Sequence, residues 1–238
     1  MDNIGYATLT RQSGLLREMR VVANNIANAD TTGFRREGVV FSEYMHSLDA
    51  TGQTLSMANA RGRTVDLMQA GLTMTGGTFD LGIEGDAFFM VQTPEGNRLT
   101  RAGNFLTGPD GNLVTPDGMP VLDAGQAPIN IPAGVQSVTI GSDGTVTADD
   151  VPVAQVGLFT VADPTSLLHR GGTRFETESE TIPTETARIR QGFLEGSNVD
   201  PVFEMTRMIE VQRAYEMGQA MLDREDQRIR NVITALTR

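Results

Sequence analysis

Residues 201–238, PVFEMTRMIEVQRAYEMGQAMLDREDQRIRNVITALTR, decide the fold at the C-terminal end of the chain. Proline stands at the first position, where a helix tolerates it, and Gly218 is the one glycine in the rest of the stretch. Such a stretch predicts a single helix of roughly 50 Å at 1.5 Å per residue. Gly218 costs about 1 kcal/mol of helix stability relative to alanine and predicts a local bend.

Steps of three and four residues along this helix give a mostly apolar stripe. Its members are Met205, Met208, Gln212, Tyr215, Gln219, Leu222, Asp226, Ile229, Ile233 and Leu236. So narrow a stripe on so long a helix requires a partner helix. The same steps near the N-terminus give Leu9, Gln12, Leu16, Met19, Ala23 and Ile26. The two stripes predict that the terminal helices pair in a coiled-coil-like arrangement, in which the glutamines fix the register.

The stretch ANNIANADTTGF, residues 23–34, places three asparagines near the end of the N-terminal helix. Asparagine competes with the backbone for hydrogen bonds, so it weakens the helix before the Thr-Thr-Gly sequence turns the chain. That explanation suffices for one asparagine. We interpret Asn24, Asn25 and Asn28 together as amide groups that meet neighbouring chains.

The middle of the chain carries turn signals at near-regular spacing. TPEGN, GPDGN, TPDGM and GSDGT each combine an acidic residue with glycine, between short β-branched and aromatic stretches. This pattern predicts antiparallel β-hairpins. The predicted class is α+β, with an N-terminal helix (1–34), an extended connector (35–77), a β-rich outer domain (78–180), a return connector (181–201) and a C-terminal helix (202–238).

The composition limits the function. The 238 residues include no cysteine, which excludes disulfides and thiolate metal sites, and the net charge of -11 argues against binding to nucleic acid. No apolar run is long enough to insert into a membrane. A basic stretch followed by an unbroken apolar one is also missing at the N-terminus, so we expect no cleaved Sec-type signal.

Motifs for catalysis are not found. His46 and His169 stand alone, and no phosphate-binding or dinucleotide-binding glycine motif occurs. Acidic residues at the turns (Glu95, Asp110, Asp117 and Asp143) have a sufficient reason in solvating tight turns, and the methionines of the C-terminal helix are best explained by adaptable packing. We therefore predict no catalytic, cofactor-binding or metal-binding residues, and no enzymatic activity.

Three stretches together resemble the flagellar basal-body rod and hook proteins. They are MDNIGYATLTRQSGLLREMRVVANNIANADTTGFRRE (1–37), FDLGIEGDAFFMVQTPEGNRLTRAGNFLTGPDGNLVTPDGMPVL (79–122) and GFLEGSNVDPVFEMTRMIEVQRAYEMGQAMLDREDQ (192–227). The resemblance covers nearly the whole chain. Within the family, the opening Met-Asp, the GLLREMRVVANN stretch and the modest length are more similar to proximal rod members than to distal rod or hook members.

The resemblance implies a structural role. Family members are exported through the flagellar type III apparatus without a cleaved signal, and they polymerise into the axial rod of the basal body that crosses the periplasm and transmits torque. Their terminal helices form the inner layer, while the middle of the chain faces outward. The expected partners are copies of the chain, other rod proteins and the export apparatus, with an outer ring around the rod as a further candidate.

The residues we predict at the subunit interface belong to the terminal helices. They are Leu9, Gln12, Leu16, Met19, Ala23, Asn24, Asn25, Ile26, Asn28, Met205, Met208, Gln212, Tyr215, Gln219, Leu222, Ile229, Ile233 and Leu236. One alternative is a distal rod or related axial protein. Outside the family, the alternatives are a secreted acidic β-rich binding module with a helical oligomerisation stalk and, more remotely, a carboxylate hydrolase.

Overall fold

The structure, a computed structural model, describes residues 2–47 and 54–236. Within these residues, a long helix lies at each end of the chain and strands lie between them. The helices are α1 (Asp2–Ala27) and α2 (Pro201–Leu236). Helices and antiparallel strands thus share one chain, which confirms the α+β class. No helix of the described residues is both long enough and apolar enough to cross a membrane.

Most of the strands are short. In chain order they are β1 (Glu37–Ser47), β2 (Thr54–Val65), β3 (Leu72–Met74), β4 (Leu81–Glu84), β5 (Phe88–Thr93), β6 (Gly96–Thr100), β7 (Leu106–Thr107), β8 (Leu113–Val114), β9 (Val138–Ile140), β10 (Thr145–Ala148), β11 (Val151–Gln155), β12 (Leu158–Val161), β13 (Leu168–His169), β14 (Arg174–Glu176), β15 (Thr181–Pro183), β16 (Arg188–Gln191) and β17 (Phe193–Glu195).

The chain divides into two compact units. The first, the helical unit, contains α1, α2, β1 and nearly all of β2. The second, the β unit, consists of Asn28–Arg36 and Val65–Val199. The predicted connectors, 35–77 and 181–201, contain β1–β3 and β15–β17. Their sequences do not predict these strands, because neither stretch shows a sustained alternation of apolar and polar residues.

Helix α2 begins at a capped N-terminus. The Asp200 carboxylate accepts hydrogen bonds from the backbone N–H groups of Val202 (2.9 Å) and Phe203 (3.2 Å). These bonds satisfy donors that lack a partner within the helix, and Pro201 has no N–H to satisfy. The start of the C-terminal helix is therefore fixed by local sequence, one residue before the predicted position.

Helix α1 ends at Ala27, earlier than the Thr-Thr-Gly sequence that we expect to stop it. The residues that follow form turns and belong to the β unit. Gly33 has a φ of +70°, and a Cβ there would lie 2.2 Å from the backbone nitrogen of Ala102. Only glycine accepts both constraints without strain, so Gly33 serves a close backbone approach.

The β unit contains a six-stranded sheet with the order β13-β14-β6-β5-β12-β15. All residues of the Phe88–Val91 run in β5 are buried, because successive side chains point to opposite faces of the sheet and both faces are covered. Phe89 and Val91 join one hydrophobic cluster, and Phe88 and Met90 join the other. The β unit thus has two cores separated by one sheet.

The four predicted turns are confirmed. Turns lie at residues 94–95, 109–110, 116–117 and 142–143, within TPEGN, GPDGN, TPDGM and GSDGT. The glycine after the acidic residue has a positive φ in every case, between 78° and 120°. These are conformations that glycine adopts at little steric cost. Local sequence therefore determines where this part of the chain reverses direction.

Candidate assembly interface

Three polar contacts join α1 to α2. In order from the C-terminal end of α1, they are Asn25 Nδ2 to Glu204 Oε2 (3.1 Å), Arg207 Nε to Glu18 Oε1 (2.8 Å) and Gln12 Nε2 to the Tyr215 carbonyl (3.0 Å). Residue numbers fall on one helix as they rise on the other, so the two helices run antiparallel. The predicted pairing of the two terminal helices therefore occurs within one chain as a direct contact.

The Gln12 contact explains the glycine in the middle of α2. The amide of Gln12 donates to the carbonyl of Tyr215, and a Cβ at Gly218 would lie 2.3 Å from the same amide nitrogen. Gly218 therefore provides the space in which the Gln12 side chain crosses between the helices. Helix α2 continues through Gly218, and the bend that the sequence predicts there stays a prediction.

Asn25 is fully buried and links three parts of the helical unit. Its Oδ1 accepts from the Glu37 N–H (3.0 Å), and its Nδ2 donates to the Glu37 carbonyl (2.9 Å) and to the carboxylate of Glu204 (3.1 Å). We expected this amide to meet a neighbouring chain, and the structure corrects that expectation. The Asn25 amide joins the end of α1 to β1 and to the first turn of α2.

The ion pair of Glu18 and Arg207 adds a charged contact at the helix boundary. Burial opposes the charged form of the guanidinium, but hydrogen bonding and attraction to Glu18, with a further contribution from Glu210, raise the pKa of Arg207 above its ordinary value. Glu18 is buried, while the Arg207 side chain remains 44% exposed. Because the Arg207 side chain is partly exposed, the ion pair contributes little to stability, and its main effect is to fix the register of α1 against α2.

The buried line of each helix differs from the predicted stripe. On α1, the buried residues are Gln12, Gly14, Leu15, Glu18, Val21, Val22 and Asn25. On α2, Glu204 and Val211 are buried, and the half-buried residues are Met208, Ala214, Tyr215, Gly218, Leu222 and Glu225. For much of their length, the predicted stripes lie about one residue away from the buried residues. The reason is that the buried line contains glutamate, asparagine and glycine, which a search for apolar residues passes over.

Several predicted interface residues consequently lie at the surface of the chain. Leu9, Leu16, Ala23, Asn24, Met205, Gln212, Gln219, Ile229, Ile233 and Leu236 are exposed, while Met19, Ile26, Asn28, Met208, Tyr215 and Leu222 are half-buried. Gln212 donates to Glu216, and Gln219 donates to the Tyr215 hydroxyl. These two glutamines bond within α2, contrary to the expectation that they fix the register across helices.

Sequence reasoning missed the buried charged residues. In the helical unit these are Glu18, Glu37 and Glu204, and in the β unit they are Arg35, Arg101 and Glu195. Glu195 accepts from both arginines. A usable signal was present for Glu204, since it lies seven residues before the buried Val211 and shares a helix face with it. The β-unit cluster leaves no comparable local pattern, since its members are far apart in sequence.

Two of the acidic turn residues, Asp143 and Asp117, bond to nearby side chains. The Asp143 carboxylate accepts from the N–H (3.1 Å) and the hydroxyl (2.7 Å) of Thr145, and these hydrogen bonds lower the pKa of Asp143. Asp117 pairs with Arg174 at 2.6 Å. Among the described residues, no group of three or more acidic or histidine side chains is placed to hold a metal ion.

Known protein families match this chain in three places, which include most of both helices and many of the strands between them. Residues 6–35 match the family described as flagella basal body rod protein, and residues 190–235 match the flagellar basal body rod FlgEFG protein C-terminal family. Residues 82–148 match the flagellar hook protein FlgE/F/G D1 domain. The first two matches cover all three polar contacts between α1 and α2, together with residues 28–35 and 190–199 of the β unit.

Similar proteins match the chain over its length. The flagellar basal-body rod protein FlgF of Caulobacter vibrioides is 40% identical over 99% of this chain and 98% of its own. The chain belongs to the flagellar basal-body rod protein family. FlgF of Mesorhizobium japonicum is 39% identical over 93% of this chain and 92% of its own, and FlgG of Bacillus subtilis is 31% identical over 96% and 97%. These two FlgF proteins are thus more similar to the chain than this FlgG.

Proposed function

We propose that this chain is a structural subunit of the bacterial flagellar basal-body rod. It assembles with copies of itself and with other rod proteins through the exposed faces of α1 and α2. Its membership of the rod protein family supports this role. The assembled rod is the shaft that transmits torque across the periplasm, and the greater identity to the FlgF proteins favours a place in the proximal rod.

The proposal rests mainly on the exposed apolar residues near the C-terminal end of α2. Extending the antiparallel register of the three polar contacts places the first residues of α1 beside about residue 225 of α2. Helix α2 continues to Leu236. In this extension Ile229, Ile233 and Leu236 follow the line of Leu222 at helical spacing, and they are 44%, 56% and 81% exposed. An exposed apolar line on this part of α2 favours contact with a helix from another subunit.

The exposed residues on the other side of the helices support the same role. Val202, Met205 and Ile209 are at least half exposed near the start of α2, and Leu9 and Leu16 are exposed on α1. Exposed apolar patches on soluble proteins commonly mark interaction sites. Different faces of the pair would contact different neighbours, so the contacts are head-to-tail and produce a helical filament.

In this proposal the terminal helices form a coiled-coil-like inner layer of the rod and the β unit faces outward. A two-helix contact buries little apolar area, so the helices gain stability when neighbouring subunits cover them. Export through the flagellar type III apparatus without a cleaved signal, and contact of the β unit with an outer ring, are further parts of the proposal that rest on the resemblance to rod and hook proteins.

The test replaces apolar residues beyond the antiparallel contact. We expect the double variant Ile229→Gln/Ile233→Gln to keep the thermal stability of the isolated chain, since both side chains are exposed there. Burying one isoleucine contributes roughly 1.5–3 kcal/mol, so self-association should weaken by at least about 10-fold. Analytical ultracentrifugation measures this association, and recovery of the variant in isolated basal bodies measures assembly.

Ile182→Gln is the matched control. Ile182 is 45% exposed on β15 in the β unit, so its replacement makes the same chemical change outside the helices. The control variant should associate and assemble like the unchanged chain. Normal assembly of the Ile229→Gln/Ile233→Gln variant would contradict the proposed use of α2 as an assembly surface.

A further inference from the structure

The interior of the β unit holds three charged side chains in one cluster. Glu195 Oε1 accepts from Arg35 Nη2 at 2.5 Å, and Glu195 Oε2 accepts from Arg101 Nη1 at 3.2 Å. The three side chains are at most 1% exposed. The backbone N–H of Ala70 adds a bond to Oε1 at 3.0 Å. One carboxylate therefore serves two buried guanidinium groups and a backbone donor.

The cluster contains more positive than negative charge. Two arginines share one glutamate, and the next carboxylate with an influence on Arg101, that of Asp86, is exposed. Burial lowers the pKa of Arg101 to about 10, an effect that Glu195 offsets and Arg35 increases. Within the described part of the chain, Nε and Nη1 of Arg35 and Nε of Arg101 have no hydrogen-bond partner. The Glu195 carboxylate is thus the main compensation for two buried cations.

The three charges arrive from distant parts of the chain. Arg35 lies just after α1, Arg101 directly follows β6, and Glu195 ends β17 shortly before α2. The Glu195 carbonyl also accepts from the Gly33 N–H at 2.8 Å. Because Glu195 is the last of the three in the chain, both arginines precede their counter-charge by at least 94 residues.

The cluster lies directly against the central sheet. The Arg101 guanidinium is 5.1 Å from the centre of the Phe88 ring in β5, and Arg101 Nη2 donates to the Gly85 carbonyl at 2.8 Å. A buried cation without its carboxylate strongly destabilises its surroundings. The stability of β5 and β6 should therefore depend on whether the Glu195 carboxylate is present.

We propose that Glu195 acts as a charge latch. By this we mean that the β unit folds around the buried side chains of Arg35 and Arg101 only when the segment 193–195 has packed in place and supplied the Glu195 carboxylate. A chain in which residue 195 has not yet docked keeps its central strands open. The latch couples the first and last segments of the β unit to its core, and it does so independently of any assembly of subunits.

The test measures hydrogen exchange in the folded full-length chain. Glu195→Gln removes the charge and nearly keeps the shape of the side chain. We expect backbone amides of residues 88–100, which span β5 and β6, to exchange at least about 100-fold faster in this variant, together with those of residues 193–198. Mass spectrometry of peptides from both segments gives the two rates in one experiment.

Two further variants serve as controls for Glu195→Gln. Glu176→Gln removes a carboxylate that pairs with Arg98 and Arg170 near the surface of the same sheet, and it should leave exchange in 88–100 almost unchanged. The triple variant Arg35→Met/Arg101→Met/Glu195→Met removes all three charges, and it should restore slow exchange, even if Glu195→Gln does not fold.

Two results would overturn the latch. In the first, Glu195→Gln speeds exchange in 193–198 alone and leaves 88–100 as slow as in the unchanged chain. In the second, the triple variant exchanges as fast as Glu195→Gln, which would assign the loss to shape rather than to uncompensated charge.

Discussion

Because Gln12 packs against Gly218, the substitution Gly218→Ala should lower the stability of this chain, although the same substitution stabilises an ordinary helix. Gly218→Ala should stabilise a helix by about 1 kcal/mol. In this chain the new Cβ would lie 2.3 Å from Gln12 Nε2, so the amide must move away from the Tyr215 carbonyl. The lost hydrogen bond costs about 1 kcal/mol and the buried unpaired amide a further ~1–3 kcal/mol, so after the helix gain the net loss is roughly 1–3 kcal/mol.

A double-mutant cycle separates these contributions. In the Gln12→Ala background the amide is absent, and Gly218→Ala should then raise the free energy of unfolding by the full ~1 kcal/mol of helix propensity. The coupling between the two positions is therefore about 2–4 kcal/mol. Urea unfolding followed by far-UV circular dichroism measures all four proteins. Equal stabilisation by Gly218→Ala in both backgrounds would refute the interlocking contact.

Two other predictions follow from single side chains. Asn25→Ala removes three buried hydrogen bonds and should lower the free energy of unfolding, measured by urea denaturation, by about 3 kcal/mol. Asn231→Ala, at an exposed position of α2, should not lower it; equal losses would contradict the intrachain role of Asn25. Thr145→Ala should raise the pKa of Asp143 toward its ordinary value in an NMR titration, because the hydroxyl bond that lowers this pKa most is gone, and an unchanged pKa would exclude the hydroxyl as a cause. The depressed pKa means that the Asp143 carboxylate contributes stability above its unfolded-state pKa and loses it as the pH falls through the folded-state pKa.

The turns and the start of α2 could be predicted from the sequence because their causes are local. Glycine after Pro-Asp, Pro-Glu or Ser-Asp takes the positive φ that a reversal needs, and Asp200 caps α2 with its own side chain. The long helix of the C-terminal stretch follows in the same way from the near absence of glycine and proline.

The buried faces of the two helices could not be predicted from local sequence. Periodicity assigns a face by its apolar residues, whereas this contact buries Gln12, Asn25 and Glu204. These residues are stable in the interior because each finds a partner more than ten positions away in the chain. Polar residues on a buried face displace a hydropathy pattern, so the predicted stripes mark a mixture of inner and outer positions.

Local sequence was sufficient to predict the two terminal helices, the four glycine turns, the antiparallel β-hairpins between them and the family to which the chain belongs. The antiparallel register of α1 and α2 and the cluster of Arg35, Arg101 and Glu195 became visible only from the folded structure. The first group depends on conformational preferences of neighbouring residues. The second depends on the cost of burying polar and charged groups, which is met only by partners that folding brings from distant positions.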